Sequence, residues 1–235
     1  MIKVIVISIL LCLNAALSVA QQRVVERSFS VNGQESVELD LKFGESITVK
    51  AWDRNEVSFR AVIEINSGRL NDALVLDFSQ NDKGLSVAAE FDRVRIREGR
   101  RADCPNKSYS TYSLNDDEES SVVCSNIIYE LRVPADIHLN VESISSNIEL
   151  IGLKGSVKAK SISGFVDLSW PENTGADLSF KTISGEVYSG IESLNLDNRN
   201  KAPLVGYELR GSIGSGGPPV SLESISGNIY LRKAN

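Results

Sequence analysis

Glu149, Asp167, Tyr188 and Tyr230 occupy the same place in four repeated segments of the chain. With the Ile of each Ile-Ser-Gly tripeptide (Ile-Ser-Ser in the first) set as zero, they are the +5 residues after Ile144, Ile162, Ile183 and Ile225. Stacked in register, the segments bring the two carboxylates to about 5 Å from each other. That separation suits the paired acids of a retaining glycosidase and also a hard cation such as calcium. The tyrosines add flat faces for sugar rings. The competing reading is that alternate strand residues must face water, and the sequence favours it. Glu149, Asp167, Tyr188 and Tyr230 are therefore candidates for surface binding, and no residue is assigned as catalytic or as a metal ligand.

Other chemistry is sparse. The chain has one His, His138, on the polar alternation ahead of the first repeat. Alone it supports neither a Ser-His-Asp triad nor a zinc site of the usual composition. The Ser at +1 of each segment (Ser145, Ser163, Ser184, Ser226) reads as a turn hydroxyl that satisfies backbone groups. Residues 211–219, GSIGSGGPP, form a flexible loop; no Lys-Ser/Thr or helix start follows, as a phosphate loop requires. Arg93, Arg95, Arg97, Arg100 and Arg101 make a basic run. The acidic run 116–119 lies in the same excursion and the net charge is −6, which points to self-compensation and away from a nucleic-acid partner. Nothing calls for a cofactor.

Cys104 and Cys124 bracket that polar loop. In an exported chain such a pair reads as a disulfide stapling the base of a long loop or hairpin. Neither Cys-x-x-Cys spacing nor a neighbouring His supports a redox or metal pair.

The repeat predicts what positions these residues. At −5, −3, 0, +4 and +6 the four segments carry hydrophobic residues at nineteen of twenty positions, in a chain that is 42% hydrophobic. Alternation on either side of the tripeptide is the period of a strand with one buried face. Each unit thus reads strand, corner, strand, with the corner Gly free to take unusual dihedrals. The zeros are spaced by 18, 21 and 42 residues, which predicts a further, degraded unit between 190 and 219. Stacked units of this size bury an apolar face only together. The expected fold is all-β: a right-handed β-solenoid whose central Ile residues pile up as an inner ladder. The alternative is an antiparallel β-sandwich.

Along the chain, residues 1–20 read as a secretory signal peptide: Lys3, an apolar run, then a small-residue site cut between Ala20 and Gln21. The apolar run is short for a membrane span and Asn14 interrupts it. The mature chain has no other span, so it is expected to be exported to the periplasm, the cell surface or the medium. Residues 21–133 are expected to form an irregular β region with the excursion at 92–126, where 43–49 reproduces the corner spacing. Residues 134–235 are expected to form the repeat region.

Three features together, the leader, the early Gly-Glu-Ser-Ile-Thr-Val-Lys-Ala-Trp-Asp and the repeated Ile-Ser-Gly-x-Ile/Val, resemble the bacterial "putative adhesin" domain family of exported proteins. So does the closing Ile-Gly-Ser-Gly-Gly…Ser-Ile-Ser-Gly-Asn-Ile-Tyr-Leu. The resemblance is strongest over residues 139–232, and the Cys104–Cys124 excursion departs from it. It implies a right-handed β-helix-like fold without established catalysis. The function expected is non-enzymatic binding of a glycan or envelope protein, through a solenoid face or the excursion. The alternatives are a polysaccharide-active β-helix enzyme and a purely structural envelope component. Oligomeric state is not encoded in any feature of the sequence.

Overall fold

The computed structural model describes residues 22–31, 35–105, 107–112, 120–197 and 207–234. Its first strands are β1 (Arg23–Ser30), β2 (Ser36–Leu41), β3 (Ser46–Trp52), β4 (Glu56–Ile65), β5 (Leu74–Asn81) and β6 (Gly84–Phe91). The excursion holds β7 (Ser110–Tyr112) and β8 (Ser121–Val123), followed by β9 (Ser125–Pro134). Next come β10 (His138–Ser143), β11 (Asn147–Ile151), β12 (Val157–Ser161), β13 (Val166–Trp170), β14 (Ala176–Thr182) and β15 (Val187–Ser189). The last are β16 (Leu194–Leu196), β17 (Tyr207–Ile213), β18 (Pro219–Ser224) and β19 (Ile229–Lys233).

Two large mixed sheets face each other, and neither closes on itself. Sheet A runs β1-β4-β9-β3-β11-β13-β19-β15, and sheet B runs β16-β17-β14-β18-β12-β10-β2-β6-β5. Each repeat sends its first strand into B and its second into A. The result is a stack of five strand-corner-strand coils, parallel and in register. Antiparallel strands flank the stack: β4 and β1 in sheet A, β5 and β17 in sheet B. The frame positions are the core. Val157, Ala159, Val166 and Leu168 of one coil are at most 2% exposed, and residues from both halves of the chain share this one apolar cluster.

Several expectations from the repeat are corrected. The coils do not stack in chain order. β18 lies between β12 and β14, and β19 between β13 and β15, so the latest unit is inserted between two earlier ones. The described residues between 190 and 219 form no coil: β17 runs antiparallel to β14, and β16 antiparallel to β17. The first coil carries one extra corner residue, since Leu139 pairs with Val37 while Ile148 pairs with Ile47.

The corner itself is built differently from the sequence reading. Ile144, Ile162 and Ile183 are 39%, 37% and 46% exposed, so they line the outer edge of the stack. Inside, the turn leaves room only for a small side chain, and the −1 residues Ser143, Ser161, Thr182 and Ser224 are buried there. They do most of the work of satisfying the backbone; of the exposed +1 serines, Ser145 donates to the Gly44 carbonyl at 3.4 Å. Ser161 accepts from the Gly164 N–H at 2.9 Å and donates to the Ser146 carbonyl at 2.9 Å. Ser224 accepts from the Gly227 N–H at 2.9 Å and donates to the Gly164 carbonyl at 2.8 Å. Thr182 holds the Gly185 N–H at 2.9 Å in the same way.

The corner glycines answer to space. A Cβ on Gly164, Gly185 or Gly227 would come 2.0, 2.0 and 2.3 Å from the carbonyl oxygen of the coil beneath. The first corner departs from this pattern: Ser143 Oγ lies 2.7 Å from the Leu41 carbonyl and 2.8 Å from Ser146 Oγ.

Candidate binding face

The strands of sheet A put alternate side chains outward, and parallel register places the +5 residues side by side. Glu149 pairs with Thr48 on one side and Asp167 on the other; Asp167 pairs with Tyr230, and Tyr230 with Tyr188. All four residues named from the sequence therefore stand in one row. The row continues across β9, β4 and β1 as Glu130, Arg60 and Glu26.

Neighbours modify what the row can do. Asp167 is engaged by Arg232, whose Nε lies 2.7 Å from Oδ2. In turn Asp167 holds the guanidinium of Arg232 above its ordinary value. Tyr188 and Tyr230 stack with centroids 5.4 Å apart and planes 12° apart. Arg232 lies 5.1 Å from the Tyr230 ring centroid, Phe165 meets that ring edge-on at 6.0 Å, and Asn228 donates to its hydroxyl at 3.1 Å. Tyr188 is further hydrogen-bonded to Glu186. The arrangement is a strip of aromatic and charged groups along the outer face of sheet A. Arg232 was the partner missed in the sequence; it lies two residues past Tyr230, on the same side of the strand.

Cys104 and Cys124 form the expected disulfide, with Cα atoms 5.9 Å apart and both residues at most 4% exposed. Asn66 clamps its base. Its side chain donates to the Val122 carbonyl at 2.9 Å and accepts from the Cys124 N–H at 3.1 Å, while its own N–H donates to the Cys124 carbonyl at 2.8 Å. Asn66 and Ser67 take φ of 49° and 54° to do so, in a region that Asn tolerates better than most residues. Arg69 reaches the carboxylate of Asp103 at 2.6 Å. That contact, aided by Asn66 and the Arg100 N–H, holds the Asp103 carboxyl below its ordinary range.

The five arginines are exposed around a 3₁₀ turn (Arg95–Glu98) pinned by buried Ile96. Arg95 pairs with Asp92 at 3.5 Å, and Arg101 lies 4.0 Å from the Tyr109 ring centroid. The acidic run 116–119 lies outside the described residues, as do Ala20, Gln21 and the leader. His138 is exposed on sheet B with Nδ1 2.6 Å from Ser156 Oγ. Among the described residues no three His, Cys, Asp or Glu side chains converge as metal ligands, and no helix is long and apolar enough to cross a membrane.

No family model matches the sequence, and no curated protein matches it. Among solved structures, the "putative adhesin" of Bacteroides fragilis aligns at a TM-score of 0.22 and 10% identity, covering 90% of this chain and 97% of that one. That of Parabacteroides merdae aligns at 0.23 and 6% identity, covering 91% and 97%. Scores of that size carry no argument. The "putative cell adhesion protein" of Clostridium sporogenes aligns at a TM-score of 0.53 and 12% identity, covering 91% of this chain and all of that one (100%). The chain shares its fold with that Clostridium protein.

Proposed function

We propose that this is a non-enzymatic, exported, adhesin-like protein that binds a cell-surface or envelope partner through the outer face of sheet A. The observation that carries the reading is the Tyr188–Tyr230 stack set beside the Asp167–Arg232 pair on that face. Aromatic rings fixed by their neighbours give contact area at little further loss of freedom, and a charged pair beside them sets orientation. The name of the Clostridium protein, one of cell adhesion, supports the same reading. Export is supported by the disulfide and by the leader-like residues 1–20 cut between Ala20 and Gln21.

We read the five coils as a β-solenoid-like stack within the two-sheet body, with 134–235 as the repeat region and 21–133 flanking it. Its right hand follows from the near-universal hand of parallel crossovers. Glu149 belongs to the binding strip as the carboxylate next to Asp167.

The test is a glycan array and adsorption to isolated cell envelopes, run with a polysaccharide turnover assay on wild type and on Y188A/Y230A. Binding without turnover that falls at least tenfold in the variant is the expected result. Turnover would establish the enzymatic alternative. Equal binding by the variant removes the tyrosine strip from the interface, and no binding at all leaves a structural component.

A further inference from the structure

Charges on the outer faces are interleaved almost everywhere. Lys158 meets Glu142 at 2.7 Å, Glu223 lies 3.6 Å from both Lys160 and Lys181, and Arg60 sits between Glu26 and Glu130 at 3.2 and 2.8 Å. Where two like charges stand directly opposite, at least one of them is ion-paired with an opposite charge. Asp40 and Glu142 have Lys42 and Lys158, and the Glu149–Asp167 pair has Arg232.

One opposed pair breaks the rule. Lys50 on β3 faces Arg132 on β9, both exposed. Among the described residues no carboxylate lies within ion-pair distance of either. A third cation, Arg54, is stacked 5.0 Å from the centroid of Trp52, and Arg132 approaches the same ring at 5.9 Å. A shallow trough lies beside the pair, lined by Thr48, Lys50, Glu130, Leu131 and Arg132. Opposed like charges destabilise a sheet, and a local rule broken with no ion pair to offset it is where a functional or strained site is expected.

The lining says what would relieve it. Lys50 and Arg132 together receive one acid group, the guanidinium through paired donors. Thr48 offers a hydroxyl, and Glu130, held from the other side by Arg60, offers an acceptor for ligand hydroxyls. The same Glu130 repels a densely charged polyanion. We propose that this trough binds the acid group of an acidic carbohydrate, a uronic acid or a sulfated sugar unit within a surface polysaccharide. The proposal rests on sheet A being a binding face and is independent of the tyrosine strip, three strands away.

The probes are polygalacturonate and dextran sulfate, with methyl-esterified polygalacturonate and dextran as uncharged counterparts and polyphosphate as a dense polyanion. Binding of at least one charged polysaccharide is expected, weakened tenfold or more in K50Q/R132Q and unchanged in K158Q, an exposed cation on sheet B. Carboxylate and sulfate arms separate the two kinds of acid sugar. The urea midpoint of K50Q/R132Q is expected at or above that of wild type. Any of four results overturns the proposal: no charged polysaccharide binds, K50Q/R132Q binds as wild type does, the uncharged counterparts or polyphosphate bind equally well, or the variant's midpoint falls. Loss in Y188A/Y230A without loss in K50Q/R132Q overturns this trough alone and leaves the binding face standing.

Discussion

Ser224 and Gly164 are sixty residues apart in the chain, yet the hydroxyl of one donates to the carbonyl of the other at 2.8 Å inside the corner of the stack. That hydroxyl also receives the Gly227 N–H of its own coil, so one small side chain closes its own turn and ties it to the next. Removing it strands a buried N–H and a buried carbonyl together. Ser224→Ala is expected to lower stability by about 2 kcal/mol. Ser226→Ala, exposed one turn residue later, is expected to stay within about 0.5 kcal/mol. Urea unfolding measures both, read as a shift of midpoint at constant slope.

Gly164→Ala tests why the corner needs glycine. The added Cβ lies 2.0 Å from the Ser146 carbonyl oxygen, a backbone atom that cannot swing away. A loss of about 3 kcal/mol or more is expected, in the range reserved for core overpacking. Gly190→Ala, with nothing within 4 Å of its Cβ position, serves as the control by thermal melting.

The disulfide closes a loop with a sequence separation of 20. Replacing both cysteines by Ala is expected to lower stability by about 3 kcal/mol on the chain-entropy account. Because both residues are buried, reductant alone is expected to leave the bond intact until denaturant opens the fold. Thiol labelling across a urea series reports this directly.

Asp103 gives the excursion an acid dependence. Its folded pKa is depressed, chiefly by Arg69. The stability it contributes is therefore present above its unfolded pKa of about 3.9 and disappears as pH falls through the folded value. Asp103→Asn is expected to be less stable than wild type at neutral pH, with the gap closing below about pH 4. Amide exchange of residues 99–104 and 121–124 over pH 3–7 follows it.

How far the fold could be read from the sequence differs by level. The apolar frame was legible because burial imposes its period on every coil: Val220, Leu222, Ile229 and Leu231 sit where Val157, Ala159, Val166 and Leu168 sit, and pair with them. The +5 row and the disulfide followed from the same pattern and from two cysteines around a polar loop. Coil order was not legible. Units with the same frame are all complementary to one another, so nothing in β18 distinguishes β12 from β10 as a neighbour. The interior hydroxyls carried a readable signal, since −1 is Ser or Thr in all four units; the apolar zero position drew attention from them. The Lys50–Arg132 trough needed β9 beside β3, a pairing between segments that share no motif.

The insertion of β18 and β19 between older neighbours has a consequence for biogenesis. The ribosome delivers β14 and β15 before the strands that separate them from β12 and β13, so the two halves of the stack meet only across a gap during synthesis. Residues 219–233 act as a keystone. Until they are in place β12 and β14, and β13 and β15, lack the strand that joins them, and the interior between them stays unsealed.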